Sequence, residues 1–347
     1  MEGKLKTAVL GATGYSGYEL TRLLLRHPRS QKPLLLKRES GSGGGNLSDA
    51  FPALCGNGGY PLEPFSLETL KRAGVDLLFL ATPHELSRAL VPEVLRAGIR
   101  VIDLSGAWRL QRPEHRNVYG FDDADVKSAH EAMSKAVYGI PELRTGEITD
   151  AALVANPGCY ATSVILAVAP LLSAGLIDRE RGIISDSKSG VSGAGKETTA
   201  RTHFVSIADN FSAYAVFKHR HLGEMVEQLN LHSGELIFTP HLLPIPRGIL
   251  STIYVHLSRQ CTTAEVERCY RDHYAGRRWV RVFSPPQLPE IQFSLHSNHC
   301  DIGFCLADDG RRLVIVSCID NLLKGAAGQA VQNMNVMYGW NEAEGLQ

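Results

Sequence analysis

A helix-wound parallel α/β sheet followed by a mostly antiparallel α+β domain is the architecture this sequence predicts. Three observations predict it. Apolar strand-like runs alternate with helical periodicity over about the first 155 residues, a glycine-rich turn joins the first strand to the first helix, and beyond about residue 180 the strands lengthen and alternate. With 347 residues, 44% of them hydrophobic, the chain has enough apolar surface for a large core divided between two domains.

Taken in order, "KTAVLGA" has strand character, and "GYELTRLLLRH" carries apolar residues at helical spacing and ends before Pro28. "KPLLLKR", "VDLLFLAT" and "IRVIDLS" are further strands, with the helical "SRALVPEVLRAG" between the last two. Near-continuous apolar strands of this kind belong to a parallel sheet covered on both faces. "ALVA" is the next strand, "NPG" a turn, and "YATSVILAVAPLLSAG" a helix ended by Gly175. "ELIFTPHLLP", "STIYVHL" and "RRLVIVSCID" then alternate as antiparallel strands, with the helix "TAEVERCYRDHYAG" among them. The last helix, "NLLKGAAGQAVQNMNVMYG", has small residues on one side and is expected to return to the first domain. The expected division is a dinucleotide-binding domain, 1–158 completed by 321–347, and a catalytic and oligomerisation domain, 159–320.

Lys plus Arg and Asp plus Glu both number 36, so no basic excess calls for nucleic acid or an anionic membrane. The expected partner is a small molecule. No apolar run is long enough to span a bilayer, and "MEGKLKTAVLGATG" lacks the apolar region of a secretory signal, so the expected location is the cytoplasm. Seven cysteines without a C-x-x-C pair read as reduced thiols. "HSNHCDIGFC" brings His296, His299, Cys300 and Cys305 together, but it reads as a strand entering a hairpin at "ADDG". Residues five apart on a strand point to opposite faces, so no metal is assigned there.

The turn "GATGYSG" places Gly11, Gly14 and Gly17 between strand and helix, with Thr13, Tyr15 and Ser16 between them. Such glycines let the backbone turn sharply and let a pyrophosphate reach the amides at the helix N-terminus, a Rossmann-like dinucleotide site. About twenty residues on, Lys37 and Arg38 suit the 2′-phosphate of NADP, whereas Glu39 suits the free ribose of NAD. The outcome hinges on which side chain faces the pocket, and NADP is the expected cofactor.

Cys159 follows the "NPG" turn and opens a helix, where unpaired amides and the dipole favour the thiolate. The bland reading is a buried structural thiol. A thiolate together with a hydride carrier favours the other reading, in which the sulfur holds an acyl group as a thioester for reduction. "YAVFKHRHLGEM" supplies His219 and His221 for proton transfer; if extended, it would put both on one face and Arg220 on the other. Arg109 in "DLSGAWRL" and Arg247 in "PIPRG" are candidates for anion recognition.

"GATGYSGYEL", "ANPGCYATS", "SGVSGAGK", "HRHLGEM", "TPHLLPIPRG" and "DNLLKGAAGQAVQNMNVMYG" together resemble the N-acetyl-γ-glutamyl-phosphate reductase family of the semialdehyde dehydrogenase group, nearly end to end. The resemblance implies reductive dephosphorylation of N-acetyl-γ-glutamyl phosphate by NADPH, in arginine biosynthesis. It implies Cys159 as nucleophile and His221, with His219 close behind, as acid/base. Arg109, Arg247, Tyr214 and Glu224 fall to substrate binding, and Ser189, Gly190, Gly193 and Asn321 to the nicotinamide side. It also implies a small acyl phosphate taken up and phosphate released; a homodimer or homotetramer is expected because antiparallel sheets with a free face commonly pair in homo-oligomers. Departures are Ala161 where the pattern has proline, "DLSGAWRL" for "DLSADFRL", Leu222 and Gly223 after "HRH" in place of a nearby proline, and no lysine in "SGSGGGN". None removes a reactive group. Two other readings remain at this level: a carrier-linked aminoadipyl-phosphate reductase of lysine synthesis, and a non-catalytic NADP sensor.

Overall fold

The computed structural model describes residues 3–38, 45–56 and 59–346. Glu39 and most of "SGSGGGN" therefore lie outside the described residues. The chain gathers into two compact units, the first comprising Met1–Gln111, Tyr119–Pro157 and Ala326–Gln347, the second Arg112–Val118 and Gly158–Gly325.

In the first unit the elements run β1 (Thr7–Leu10), α1 (Tyr15–Arg26), β2 (Leu34–Lys37), α2 (Leu47–Ala50), β3 (Leu62–Pro64), α3 (Leu67–Ala73), β4 (Leu77–Leu80), α4 (His84–Arg96) and β5 (Arg100–Asp103). The chain next gives α5 (Pro113–Arg116) to the second unit, then returns as α6 (Val126–Ser134), β6 (Ala136–Tyr138), α7 (Pro141–Thr149) and β7 (Leu153–Ala155). The sheet is parallel throughout, in the order β3-β2-β1-β4-β5-β7-β6. Every residue of β1, β4 and β7 is buried, as the apolar runs "TAVL", "LLFL" and "LVA" require of strands covered on both faces. Strand order reverses between β1 and β4, the switch point where such sheets bind ligands.

The second unit opens with α8 (Cys159–Ser173), followed by β8 (Ile183–Gly190), α9 (Phe204–Ile207), β9 (Ser212–Ala213), α10 (His221–Gln228), β10 (Leu236–Leu243), β11 (Ile249–His256), α11 (Thr263–His273), β12 (Val280–Val282), α12 (Ile291–Ser294), β13 (Cys300–Leu306) and β14 (Arg312–Ile319). Its sheet has the order β12-β13-β14-β11-β8-β10-β9, with β8–β10 and β12–β13 parallel and the other pairs antiparallel. One face packs on α8, which is buried from Tyr160 through Leu171. Helix α8 sends hydroxyls to the strands: Tyr160 Oη donates to His241 O (2.7 Å), and Ser163 Oγ lies within hydrogen-bond distance of Ser251 Oγ (2.9 Å) and Ser317 Oγ (3.1 Å). Ser187 Oγ joins the same cluster (2.8 Å to Ser251), so the buried hydroxyls satisfy one another.

A π-helical turn (Leu323–Ala327) leads into α13 (Gly328–Met337), which lies in the first unit, in contact with α1, α7 and β5. The expected strand "HSNHCDIGFC" begins only at Cys300. His296, at φ +58°, lies in a turn before it and His299 directly precedes it, while Cys300 is buried and Cys305 exposed. Among the described residues no helix is long and apolar enough to cross a membrane.

Candidate active site

In the first unit the switch-point loop is shaped for an anion. Gly11 has φ +97°, and a Cβ there would stand 2.8 Å from the Ala81 carbonyl carbon, at the end of β4. Gly17 presses on the same turn, so a Cβ would lie 2.8 Å from the Gly11 carbonyl carbon. Both positions exclude side chains, as the sequence spacing predicted. Gly14 is the N-cap of α1 and brings no side chain to its first amides; Thr13 and Tyr15 are exposed and Ser16 is half-buried. These open amides fit a pyrophosphate. Because Leu10 pairs with Leu36, half-buried Lys37 and exposed Arg38 leave β2 beside this loop.

At the ends of β5 and β7 lies a polar network. Arg109, 7% exposed, donates from Nε to Asn156 O (2.8 Å) and from Nη2 to Leu104 O (2.6 Å). Asp103 is fully buried and accepts from Ser105 Oγ (2.7 Å) and Ser105 N–H (3.2 Å). Burial pushes its carboxyl up to about 6, against the pull of those hydrogen bonds and of Arg109. Sequence reasoning quoted Asp103 within "DLSGAW" without giving it a role. A carboxylate ending an otherwise apolar strand was the available signal.

In the second unit Cys159 is the first residue of α8, and Gly158 its N-cap brings no side-chain acceptor to the first amides. His221 opens α10, and its ring lies against the residue before the cysteine: a Cβ on Gly158 would stand 2.6 Å from His221 Cε1. Only glycine admits the imidazole so close. Glu224, one turn along α10 and fully buried, accepts the Gly158 N–H at Oε2 (2.9 Å), and its Oε1 lies 3.9 Å from His221 Nε2. On the far side, a Cβ at Gly325 would stand 2.6 Å from Cys159 Cβ.

The histidine segment is not extended. Ala215 (φ +45°) and Phe217 (φ +58°) fold it into a turn, and the two imidazoles meet edge to face, 4.7 Å between centroids. The turn separates their roles. His219 Nδ1 accepts the His221 N–H (3.1 Å), and its Nε2 lies 3.5 Å from Tyr214 Oη. Burial, helped by Arg220, lowers His219 to about 4, so it is neutral at neutral pH. Tyr214 is pushed up to about 12 by burial, and the neighbouring Cys159 sulfur adds to the effect while a bond with Tyr160 opposes it.

Arg247 Nη1 donates to buried Asp320 Oδ2 (3.1 Å), which also accepts the His296 N–H (2.9 Å). Asn321 Oδ1 accepts the Gly248 N–H (2.8 Å) and its Nδ2 donates to Ser192 Oγ (2.9 Å). Buried Ser189 and Gly190 end β8; a Cβ on Gly193 would reach Ser189 Oγ at 3.0 Å and Asn321 Nδ2 at 3.6 Å. The second unit thus holds Cys159, His219, His221, Glu224 and Tyr214 around one helix terminus, and Arg247, Ser189, Gly190, Gly193 and Asn321 around the β8 end. Gly11 to Gly17, Lys37, Arg38 and Arg109 belong to the first.

Known proteins share this organisation. Residues 6–151 match the family model "Semialdehyde dehydrogenase, NAD binding domain" and residues 159–321 match "Semialdehyde dehydrogenase, dimerisation domain". The chain is 44% identical to the N-acetyl-gamma-glutamyl-phosphate reductase of Desulfotalea psychrophila, over 99% of this chain and 98% of that protein. It is 42% identical to that of Bacillus subtilis, again over 99% and 98%. In fold it is similar to aspartate semialdehyde dehydrogenase II of Vibrio cholerae, with TM-score 0.72 and 18% identity over 97% of this chain and 98% of that one. Likewise it is similar to the aspartate semialdehyde dehydrogenase of Candida albicans, solved with NADP, with TM-score 0.65 and 16% identity over 96% and 98%. End-to-end identity above two fifths, on a fold with the same two domain types, shows that the chain belongs to the N-acetyl-gamma-glutamyl-phosphate reductase family of semialdehyde dehydrogenase oxidoreductases.

Proposed function

We propose that this protein converts N-acetyl-γ-glutamyl phosphate to N-acetylglutamate semialdehyde and phosphate, through a thioester on Cys159, with NADPH as reductant. The observation that carries the reading is the site around α8: a cysteine on the first turn, an imidazole against the preceding glycine, and a buried carboxylate that accepts the glycine's N–H and faces the imidazole. The relatives are named as reductases of N-acetyl-γ-glutamyl phosphate, which supports the substrate and the reduction.

The open amides at the start of α8 stabilise the Cys159 thiolate. The thiolate attacks the acyl carbon, the C–O bond to phosphate breaks, and phosphate leaves with the electron pair. Bound NADPH supplies the hydride that reduces the thioester. His221 protonates the oxygen of the resulting thiohemiacetal and takes that proton back as the C–S bond breaks and the aldehyde leaves. His219 is neutral and engaged with the His221 amide, which favours His221 as the acid/base and His219 as its support. Glu224 fixes the Gly158 amide and faces the His221 ring, a positioning role in place of direct substrate contact. Arg109 and Arg247, each oriented by a bond to a carbonyl or carboxylate, are assigned to the substrate's carboxylate and phosphate, with Tyr214 beside the sulfur.

For the cofactor, the loop of Gly11, Thr13, Gly14, Tyr15, Ser16 and Gly17 holds the pyrophosphate. Lys37 and Arg38 hold the 2′-phosphate, and Ser189, Gly190, Gly193 and Asn321 line the nicotinamide. The active form is a homodimer or homotetramer, in keeping with the dimerisation domain that residues 159–321 match.

The reverse assay tests the reading. N-acetylglutamate semialdehyde, phosphate and NADP should yield NADPH, with aspartate semialdehyde and aminoadipate semialdehyde derivatives as poor competitors. No turnover with the acetylglutamyl substrate, or preference for a competitor, overturns the substrate.

A further inference from the structure

The turn that presents Cys159 departs from Asn156, and Asn156 is held on every side by buried groups. Its N–H donates to Asp103 O (2.8 Å) and its carbonyl accepts from Arg109 Nε (2.8 Å). Its side-chain Nδ2 donates to Ala326 O (3.1 Å), and its Oδ1 accepts from Asn333 Nδ2 (3.0 Å). Asn156 and Asn333 are both fully buried. Asn333 belongs to α13, whose residues from Gly328 to Met337 are all buried although they include Gln329, Gln332, Asn333 and Asn335. A fully buried helix with four amide side chains is costly unless those amides bind specific partners.

Asn333 reaches its partner through a tight passage. The same Nδ2 donates to Gly139 O (2.9 Å), and a Cβ on Gly139 would lie 3.0 Å from Asn333 Cγ. Gln329 Nε2 shares the Gly139 carbonyl (2.9 Å) but makes no bond to Asn156. Of these two amides on α13, therefore, only Asn333 connects the helix to the start of the Asn156-Pro157-Gly158-Cys159 turn. Glu224 fixes the other end at Gly158.

We infer that Asn333 is a positioning residue for the nucleophile, acting through the Asn156 side chain to fix the turn that sets Cys159 on the first turn of α8. The inference rests on the reading of Cys159 as nucleophile. Asn333 touches neither sulfur nor substrate in this account; it holds the path of the chain three residues before the sulfur. Loss of the bond lets the turn relax, so the helix-terminal amides are no longer held at the sulfur and the thiolate is less favoured.

The test is alkylation of Cys159 by iodoacetamide as a function of pH, read by mass spectrometry on the Cys159 peptide because Cys159 is half-buried while Cys55 and Cys305 are exposed. It is run on the full-length protein alongside steady-state kinetics. Asn333→Ala is expected to move the alkylation midpoint to higher pH and to lower kcat about tenfold, the equivalent of one hydrogen bond, with KM for the acyl phosphate unchanged. Gln329→Leu, which loses the Gly139 bond alone, should keep the wild-type midpoint. Should Asn333→Ala not fold, Asn333→Ser keeps a small polar group but cannot reach Asn156, and it should show the same shift. An unmoved midpoint in a folded Asn333 variant, or an equal shift in Gln329→Leu, overturns the inference. A shifted midpoint with full turnover in Cys159→Ser would instead overturn the reading of Cys159 as nucleophile.

Discussion

Cys159, Gly158 and the His221 ring meet at the start of α8, and the sequence showed only part of that meeting. Cys159 was readable because a turn followed by a long helical run places it at a helix terminus whatever the tertiary structure. The pairing of His221 with Gly158 was not, since it depends on α10 approaching α8 across the 63 positions from 158 to 221. Gly158→Ala makes that dependence testable. The added Cβ overlaps the imidazole, so kcat should fall at least as far as in His221→Ala, which is expected to lose roughly a hundredfold, the usual worth of a general acid or base. Steady-state kinetics at saturating NADPH checks both. Near-wild-type kcat in Gly158→Ala would show that the imidazole can work from elsewhere. Lys37 and Arg38 are proposed for the 2′-phosphate from their distance past Gly17, and Glu39 leaves the cofactor open in the sequence. Lys37→Ala and Arg38→Ala should each raise KM for NADPH about tenfold or more with little effect on NADH, the loss of one charge-assisted bond. Equal effects on both cofactors would assign the two cations elsewhere.

At the scale of elements, most helices and strands follow from periodicity, and the departures have local causes. An extended histidine segment would have put His219 and His221 on one face and Arg220 on the other. Non-glycine residues at positive φ, Ala215 and Phe217, turn it instead, and nothing in "YAVFKHRH" marks such a turn. Helix α8 carries Pro170, which lacks an N–H and leaves the Leu166 carbonyl without its helical donor. Tyr274, just past α11, donates its hydroxyl to that carbonyl, and Tyr270 donates to Ala167 O (2.7 Å). The helical run in the sequence continues through this proline to Gly175, and the hydroxyls of Tyr274 and Tyr270 explain why it can. Tyr274→Phe should therefore cost about 1 to 3 kcal/mol, the price of an unsatisfied buried carbonyl, and lower Tm by a few degrees while leaving kcat unchanged. Thermal unfolding measures the first and the standard assay the second; an unchanged Tm would mean that Leu166 finds another donor.

For the whole molecule, the parallel sheet and the antiparallel sheet were both legible, because buried parallel strands read as continuous apolar runs and half-exposed strands alternate. The passage of Arg112–Val118 into the second unit was not. It rests on Glu227, whose Oε1 accepts the Arg112 N–H (3.0 Å) and lies 2.9 Å from His115 Nδ1, and no compositional change announces it. Stability against pH is also a property of the whole. His219 titrates at about 4 in the fold against 6.5 in the unfolded chain, so the unfolded state binds more protons between those values. Its contribution is therefore present above pH 6.5 and lost as pH falls toward 4, on the order of 3 kcal/mol. Asp103 acts in the opposite direction: raised to about 6, it favours the fold at low pH and loses that contribution between about 4 and 6. Chemical unfolding from pH 7 to 5 should show a decline that is steeper in Asp103→Asn than in wild type, and equal slopes would mean that Asp103 does not titrate as its burial implies. The central claim, an acyl group carried on sulfur, is tested most directly by withholding phosphate. With N-acetylglutamate semialdehyde and NADP alone, the enzyme should release a burst of NADPH close to one per site and retain an acetylglutamyl group on the Cys159 peptide. A missing burst with no acyl group on Cys159, in protein that turns over normally once phosphate is added, would contradict the account.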